Sequence, residues 1–182
     1  MTETSTYSIA INSVFHSDKL QKGLWIVLVN ASRIPPHVGM IFNGKYNSLN
    51  VTGQETDINV LALVKRLELQ KIKSVFIKLK QHPVFSLDYL HEHFKIQVEK
   101  YEKVESGIAT CFTPVRTFFT ENYALHEQEL EYLYHLFPAL YEQEVISEAF
   151  TLNMEKTWGG HFHIKAYSMQ DIDDKLNGIN RK

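Results

Sequence analysis

The sequence predicts a mixed α+β domain in which an antiparallel sheet packs against helices. Three observations predict it. "LWIVLVN" (residues 24–30) is apolar on both faces, as a buried central strand is. "HVGMIF" and "YNSLNV" flank Asn43-Gly44, a dipeptide suited to the positive φ angles of a two-residue hairpin turn. Downstream, apolar residues recur three and four apart, the spacing of amphipathic helices.

The remaining elements follow in order. Asp57 can cap a helix through "DINVLALVKRLEL". "SVFIKLK" (residues 74–80) alternates and reads as a strand. From Ser86, the residues Leu87, Leu90, Phe94, Val98 and Tyr101 keep helical spacing and make a long amphipathic helix. "TCFTPVRTFFTENY" and "EQELEYLYHLFPALYEQ" give two more helices. In the second, Tyr132, Tyr134, Phe137 and Tyr141 are spaced for helix packing and not as a base-stacking platform. Beyond Ser147 the chain changes character. "HFHIKAY" is a short strand, and Met169, Ile172, Leu176 and Ile179 form a last stripe behind Ser168 as cap. The "TWGG" turn at 157–160 sets that tail apart. Residues 1–150 are therefore expected to form the α+β domain, and 151–182 a strand-helix extension of it.

Composition narrows the function. Net charge is −2 with the 19 Lys and Arg spread along the chain, so there is no basic stripe for nucleic acid. Cys111 is the only cysteine, which excludes an intrachain disulfide and a cysteine-based zinc site. "MTETSTYS" has neither the charged nor the apolar region of a secretory signal, and "LWIVLV" is too short to span a bilayer. The expectation is a cytoplasmic protein with no membrane span, whose sequons at Asn30 and Asn50 are coincidental.

The hairpin carries the chemistry. With a two-residue turn, Phe42 pairs with Lys45, Ile41 with Tyr46, Gly39 with Ser48 and His37 with Asn50. Opposed residues share a face with Cβ atoms about 5 Å apart. One face then carries His37, Gly39, Ile41, Tyr46, Ser48 and Asn50; Val38, Met40, Phe42 and Leu49 turn to the core. A longer turn would put Leu49 or Ser48 in place of Asn50. A strand glycine marks close approach of another backbone, here a helix terminus beside His37. An amide opposite His37 can hold Nδ1–H and leave Nε2 as a base.

Cys111 is the candidate partner. Thr110 can cap a helix whose first residue is Cys111, and Pro114 falls in the first turn, where its missing N–H costs little. Val115, Phe118 and Phe119 place Cys111 on the inward face, where the helix dipole would lower the thiol pKa. If Thr113-Pro114 starts the helix instead, Cys111 lies in the preceding loop and packs as a small hydrophobe.

Together, "HVGMIF", a short hairpin and the later "CFTPV" resemble the circularly permuted, papain-like cysteine hydrolases, of the NlpC-type and lecithin retinol acyltransferase-like branch. The resemblance covers about residues 24–123. It implies a papain-like fold with His37 as base, Asn50 as orienting residue and Cys111 as nucleophile, needing no cofactor. The substrate would be a small molecule, or a peptide or acyl group with an amide or ester bond. The third position is Asn where the pattern more often has His, Glu or Gln.

Other features point elsewhere. His161 and His163 share a strand face and could join a metal site, but no third ligand is spaced for it. His91 and His93 fall on different sides of a helix. Asp171, Asp173 and Asp174 lack the spacing of a calcium loop. Gln54 and Glu55 read as plain loop residues. The leading reading is a cysteine hydrolase or acyltransferase. The alternatives are a non-catalytic binding or scaffold domain on the same fold and a metal-dependent protein using His161 and His163.

Overall fold

The computed structural model describes residues 6–154 and 160–179. In chain order its strands are β1 (Thr6–Ala10), β2 (Leu24–Val29), β3 (His37–Phe42), β4 (Lys45–Asn50), β5 (Gly53–Asn59), β6 (Ser74–Leu79), β7 (Ile146–Leu152) and β8 (His161–Lys165). The helices are α1 (Val60–Leu69), α2 (Leu87–Glu99), α3 (Phe112–Asn122), α4 (Leu133–Glu142) and α5 (Met169–Ile179).

Strand β2 is buried along its whole length because both of its faces are covered. Trp25, Val27 and Val29 face α1, which contributes Val60, Leu63, Val64 and Leu67. Leu24, Ile26 and Leu28 face the opposite layer, where α2, α3 and α4 supply Phe94, Phe118 and Phe137. One antiparallel sheet therefore lies between a single helix and a helical layer, with strand order β5-β4-β3-β2-β6-β7. A separate ribbon pairs β1 with β8 antiparallel, from Thr6↔Lys165 to Ala10↔His161. The fold is α+β, as the sequence predicts.

The hairpin closes as counted. Asn43 (φ 45°) and Gly44 (φ 80°) both take left-handed conformations, and the pairs are Phe42↔Lys45, Ile41↔Tyr46 and Met40↔Asn47. There the ladder ends. Asn47 is fully buried; its Nδ2 donates to the Lys45 carbonyl and its Oδ1 accepts the Asp57 N–H. The β4–β5 register shifts at the same place, between Tyr46 and Ser48. Strand β4 thus leaves β3 beyond Asn47, so Gly39–Ser48 and His37–Asn50 are not pairs.

Several elements depart from the sequence reading. Helix α1 begins at Val60, capped by Asn59, whose Oδ1 accepts the N–H groups of Leu61 and Ala62. Asp57 lies instead in β5, at φ 56°. Glu127–Glu129 is a separate 3-10 turn ahead of α4. Strands β1, β5 and β7 are additions, and β7 crosses the expected boundary at 150/151 as an edge strand of the main sheet. Ser168 does cap α5: its Oγ accepts the Asp171 N–H while the Asp171 carboxylate takes the Ser168 N–H. The "TWGG" turn, apart from Gly160, and the Ile179 side chain lie outside the described residues.

Candidate functional site

The divergence of β3 and β4 opens a cavity of about 430 Å³ that His37, Tyr46, Asn50, Glu55 and Cys111 all line. The sequence-nominated His37 and Cys111 are thereby brought to one pocket, each half-buried.

Cys111 is held at the start of α3 by the threonines around it. Thr110 Oγ1 accepts the Phe112 N–H at 3.2 Å, and Thr113 Oγ1 accepts the Thr110 N–H at 2.9 Å. Cys111 is already helical (φ −60°, ψ −23°), although the regular helix runs from Phe112. The Val38 N–H faces the sulfur closely enough to favour the thiolate. In a two-residue hairpin the N–H groups of Phe42 and Met40 turn toward β4, and so does that of Val38. With β4 gone, this orphan N–H meets Cys111 instead.

Burial pushes the Cys111 thiol above its ordinary pKa. The amides of Val38, Cys111 and Phe112 and the Lys175 ammonium pull the other way without overcoming it. The helix-start effect expected from sequence is present, and loss of water outweighs it.

His37 is fixed by Tyr46 rather than by Asn50. The Tyr46 Oη lies 3.2 Å from His37 Nε2. Among the described residues Nδ1 has no hydrogen-bond partner. The Tyr46 ring covers Gly39: a Cβ there would stand 2.4 Å from Tyr46 Cε2. The strand glycine therefore makes room for an aromatic side chain. The helix terminus approaches one residue earlier, at Val38.

Behind Tyr46 a polar chain runs to a carboxylate. Ser48 lies close enough to the phenol to temper its pKa. Ser48 Oγ then donates to Glu55 Oε2 at 3.1 Å, and Asn50 Nδ2 donates to the same oxygen at 2.7 Å. Arg66 pairs with Glu55 Oε1 at 3.0 Å. A carboxylate only accepts, so Ser48 gives its proton to Glu55. Of the two tautomers open to His37, one donates Nε2–H to Tyr46. That tautomer leaves Nδ1 as an unprotonated base. Asn50 supports the carboxylate at the far end of the chain and does not touch the imidazole.

Burial lowers the His37 pKa to about 4; Glu55 opposes the shift, and Lys175 and Arg66 add to it. Burial pushes the Tyr46 phenol up. At neutral pH the pocket therefore holds a neutral imidazole and a neutral thiol.

Tyr46, Glu55, Arg66 and Lys175 were not nominated from sequence. The face assignment did put Tyr46 with His37, and an aromatic residue diagonal to a strand glycine was the available signal. Glu55 reads as loop because β5 has little apolar character.

The other histidines stand apart. The rings of His161 and His163 are 6.4 Å apart on the solvent face of β8, with Ser8 Oγ 3.3 Å from His163 Nδ1. His91 pairs with Asp57 at 2.9 Å and His93 with Glu121 at 3.0 Å. Among the described residues no group of three or more His, Cys, Asp or Glu is placed to hold a metal ion. None of the described helices is long and apolar enough to cross a membrane. Compared with known proteins, the chain matches no family model, no curated protein and no solved structure.

Proposed function

We propose that this protein is a papain-like cysteine hydrolase or acyltransferase acting on an amide or ester carbonyl. The observation that carries the reading is that Cys111 and His37 line one pocket, with His37 held through Nε2 by Tyr46. Cys111 would be the nucleophile, His37 the base and Tyr46 the group that orients it.

Because both groups rest neutral, the proton moves during attack and not before it. The Cys111 thiol gives its proton to His37 Nδ1 as the S–C bond forms and the carbonyl electron pair moves onto oxygen. The Cys111 N–H, at the helix start, is the candidate donor to that oxyanion. Collapse breaks the C–N or C–O bond, and His37 returns the proton to the departing amine or alcohol. Water, or an acceptor hydroxyl or amine, then releases the acyl group from sulfur.

The test is the rate of Cys111 alkylation by iodoacetamide in the native protein and in His37→Ala. At pH 7 the variant should react about tenfold more slowly or worse. Above the raised thiol pKa, where the thiol ionises without help, the two rates should converge. Equal rates at both pH values would end the enzyme reading.

A binding domain without catalysis is the second reading. The raised thiol pKa and the depressed imidazole pKa favour it, since neither group is ionised at rest.

A further inference from the structure

The pocket around Cys111 carries a charge imbalance that its own side chains leave uncompensated. Arg33, Arg66 and Lys175 line it together with a single carboxylate, Glu55. Arg66 and Glu55 pair with each other at 3.0 Å, and Glu55 is further committed to Ser48 and Asn50. Two cations remain, in a chain whose net charge is −2. Neither Arg33 nor Lys175 forms an ion pair with a carboxylate among the described residues.

Lys175 stands on the inward side of α5, half-buried beside Ile172 and Leu176. Its Nζ donates to the Pro35 carbonyl. A carbonyl occupies one of three ammonium N–H groups and leaves the charge in place. Burial lowers the Lys175 pKa, and Arg33 adds to this by repelling it across the pocket. Lys175 also interacts electrostatically with Cys111, so the excess charge is centred near the nucleophile. Lys175 is half-buried while Arg33, which also lines the pocket, is exposed; a half-buried cation with no counter-charge is stabilised by an anion placed beside it. The rest of the wall is largely apolar, with Val51, Leu67, Phe112, Leu133, Ile172 and Leu176.

We infer that Lys175 and Arg33 form an anion-binding subsite beside Cys111, and that the ligand has an anionic head group on an apolar body. Carboxylates and phosphate monoesters share that chemistry. The inference rests on the proposed acyl chemistry only for calling the ligand a substrate; the subsite itself stands on charge and placement. The C-terminal segment then has a role in recognition, because α5 delivers both Lys175 and part of the apolar wall.

Two measurements test this. The first compares iodoacetate with iodoacetamide on Cys111, against the same rate ratio for mercaptoethanol. Both reagents alkylate the same thiolate, so a change in thiol pKa cancels from the ratio. The native protein should favour iodoacetate by about tenfold over the mercaptoethanol ratio. Lys175→Gln combined with Arg33→Gln should bring the preference back to the reference; glutamine keeps a donor for the Pro35 carbonyl. The second measures thermal stabilisation by hexanoate, hexyl phosphate and hexanamide, and needs no reactive thiol. Hexanoate or hexyl phosphate should raise the melting temperature of the native protein but not of the double variant, with hexanamide inert in both. The stronger of the two anions identifies the head group. A thiol inert to both alkylating reagents, with hexanoate binding intact, would remove the enzyme reading and leave the subsite standing. Equal stabilisation by hexanamide and the anions, or none by any of them, would overturn the subsite.

Discussion

The Tyr46 hydroxyl reaches His37 Nε2 at 3.2 Å by laying its ring across Gly39, so three residues on two strands act as one unit. Tyr46→Phe keeps the ring and removes the oxygen. His37 Nε2 would lose its hydrogen-bond partner in a desolvated place, at about 1–3 kcal/mol of stability. Cys111 alkylation at pH 7 should slow several-fold because the tautomer is no longer fixed, and urea denaturation beside the alkylation assay reads both effects. Unchanged reactivity in a folded Tyr46→Phe protein would remove Tyr46 from the site.

Gly39→Ala should destabilise the protein by about 1–3 kcal/mol, because the new methyl group meets the Tyr46 ring at 2.4 Å. In a Tyr46→Ala background the same change should be nearly neutral. A double-mutant cycle in urea measures the difference. Simple additivity would mean that Gly39 is needed for some reason other than the ring.

Asn50→Ala should weaken Cys111 reactivity less than Tyr46→Phe does. Asn50 donates to Glu55 at 2.7 Å and meets the imidazole only through Ser48 and Tyr46. A larger loss in Asn50→Ala, measured by alkylation at pH 7, would restore it as the direct orienting group.

Acid should destabilise the fold through His37. Its folded pKa of about 4 lies below the value near 6.5 of an unfolded histidine, so between those two pH values the unfolded chain binds the extra proton. Stability is then full above about pH 6.5 and falls as pH drops toward 4, by on the order of 2–3 kcal/mol for this group. His91 and His135 are depressed by burial too and act in the same direction. The comparison that isolates His37 is urea denaturation of native protein and His37→Gln at pH 7.5 and pH 5. The native protein should lose more stability on acidification than the variant.

The parts of the fold that could be read from the sequence are those with local causes. Asn43-Gly44 dictates its own turn geometry, and Ser86 and Ser168 announce their helices through side-chain caps. β1, β5 and β7 have no such cause. β5 is an exposed edge whose alternation involves few apolar residues, and β7 becomes a strand by pairing with β6, about seventy residues earlier. His37 and Cys111 could be nominated because reactive residue types at a strand start and a helix start are visible in one dimension. The Tyr46 contact depends on where the hairpin ladder stops, and the Asn47 bonds that stop it join residues on two further elements. Lys175 enters the pocket only because α5 folds back past the Pro35 carbonyl, which no spacing along the chain records.

The ribbon of β1 and β8 joins residues separated by most of the chain, Thr6 with Lys165. Helix α5 hangs directly from it and brings Ile172, Lys175 and Leu176 to the pocket. During synthesis, Cys111 and His37 leave the ribosome long before this last wall exists. A nascent chain would therefore display its thiol in an open, half-built cleft, and the wall that closes over that thiol would arrive only when β8 found β1. Assembly of the site is thus timed by the slowest class of contact a small domain makes, one between distant stretches of sequence.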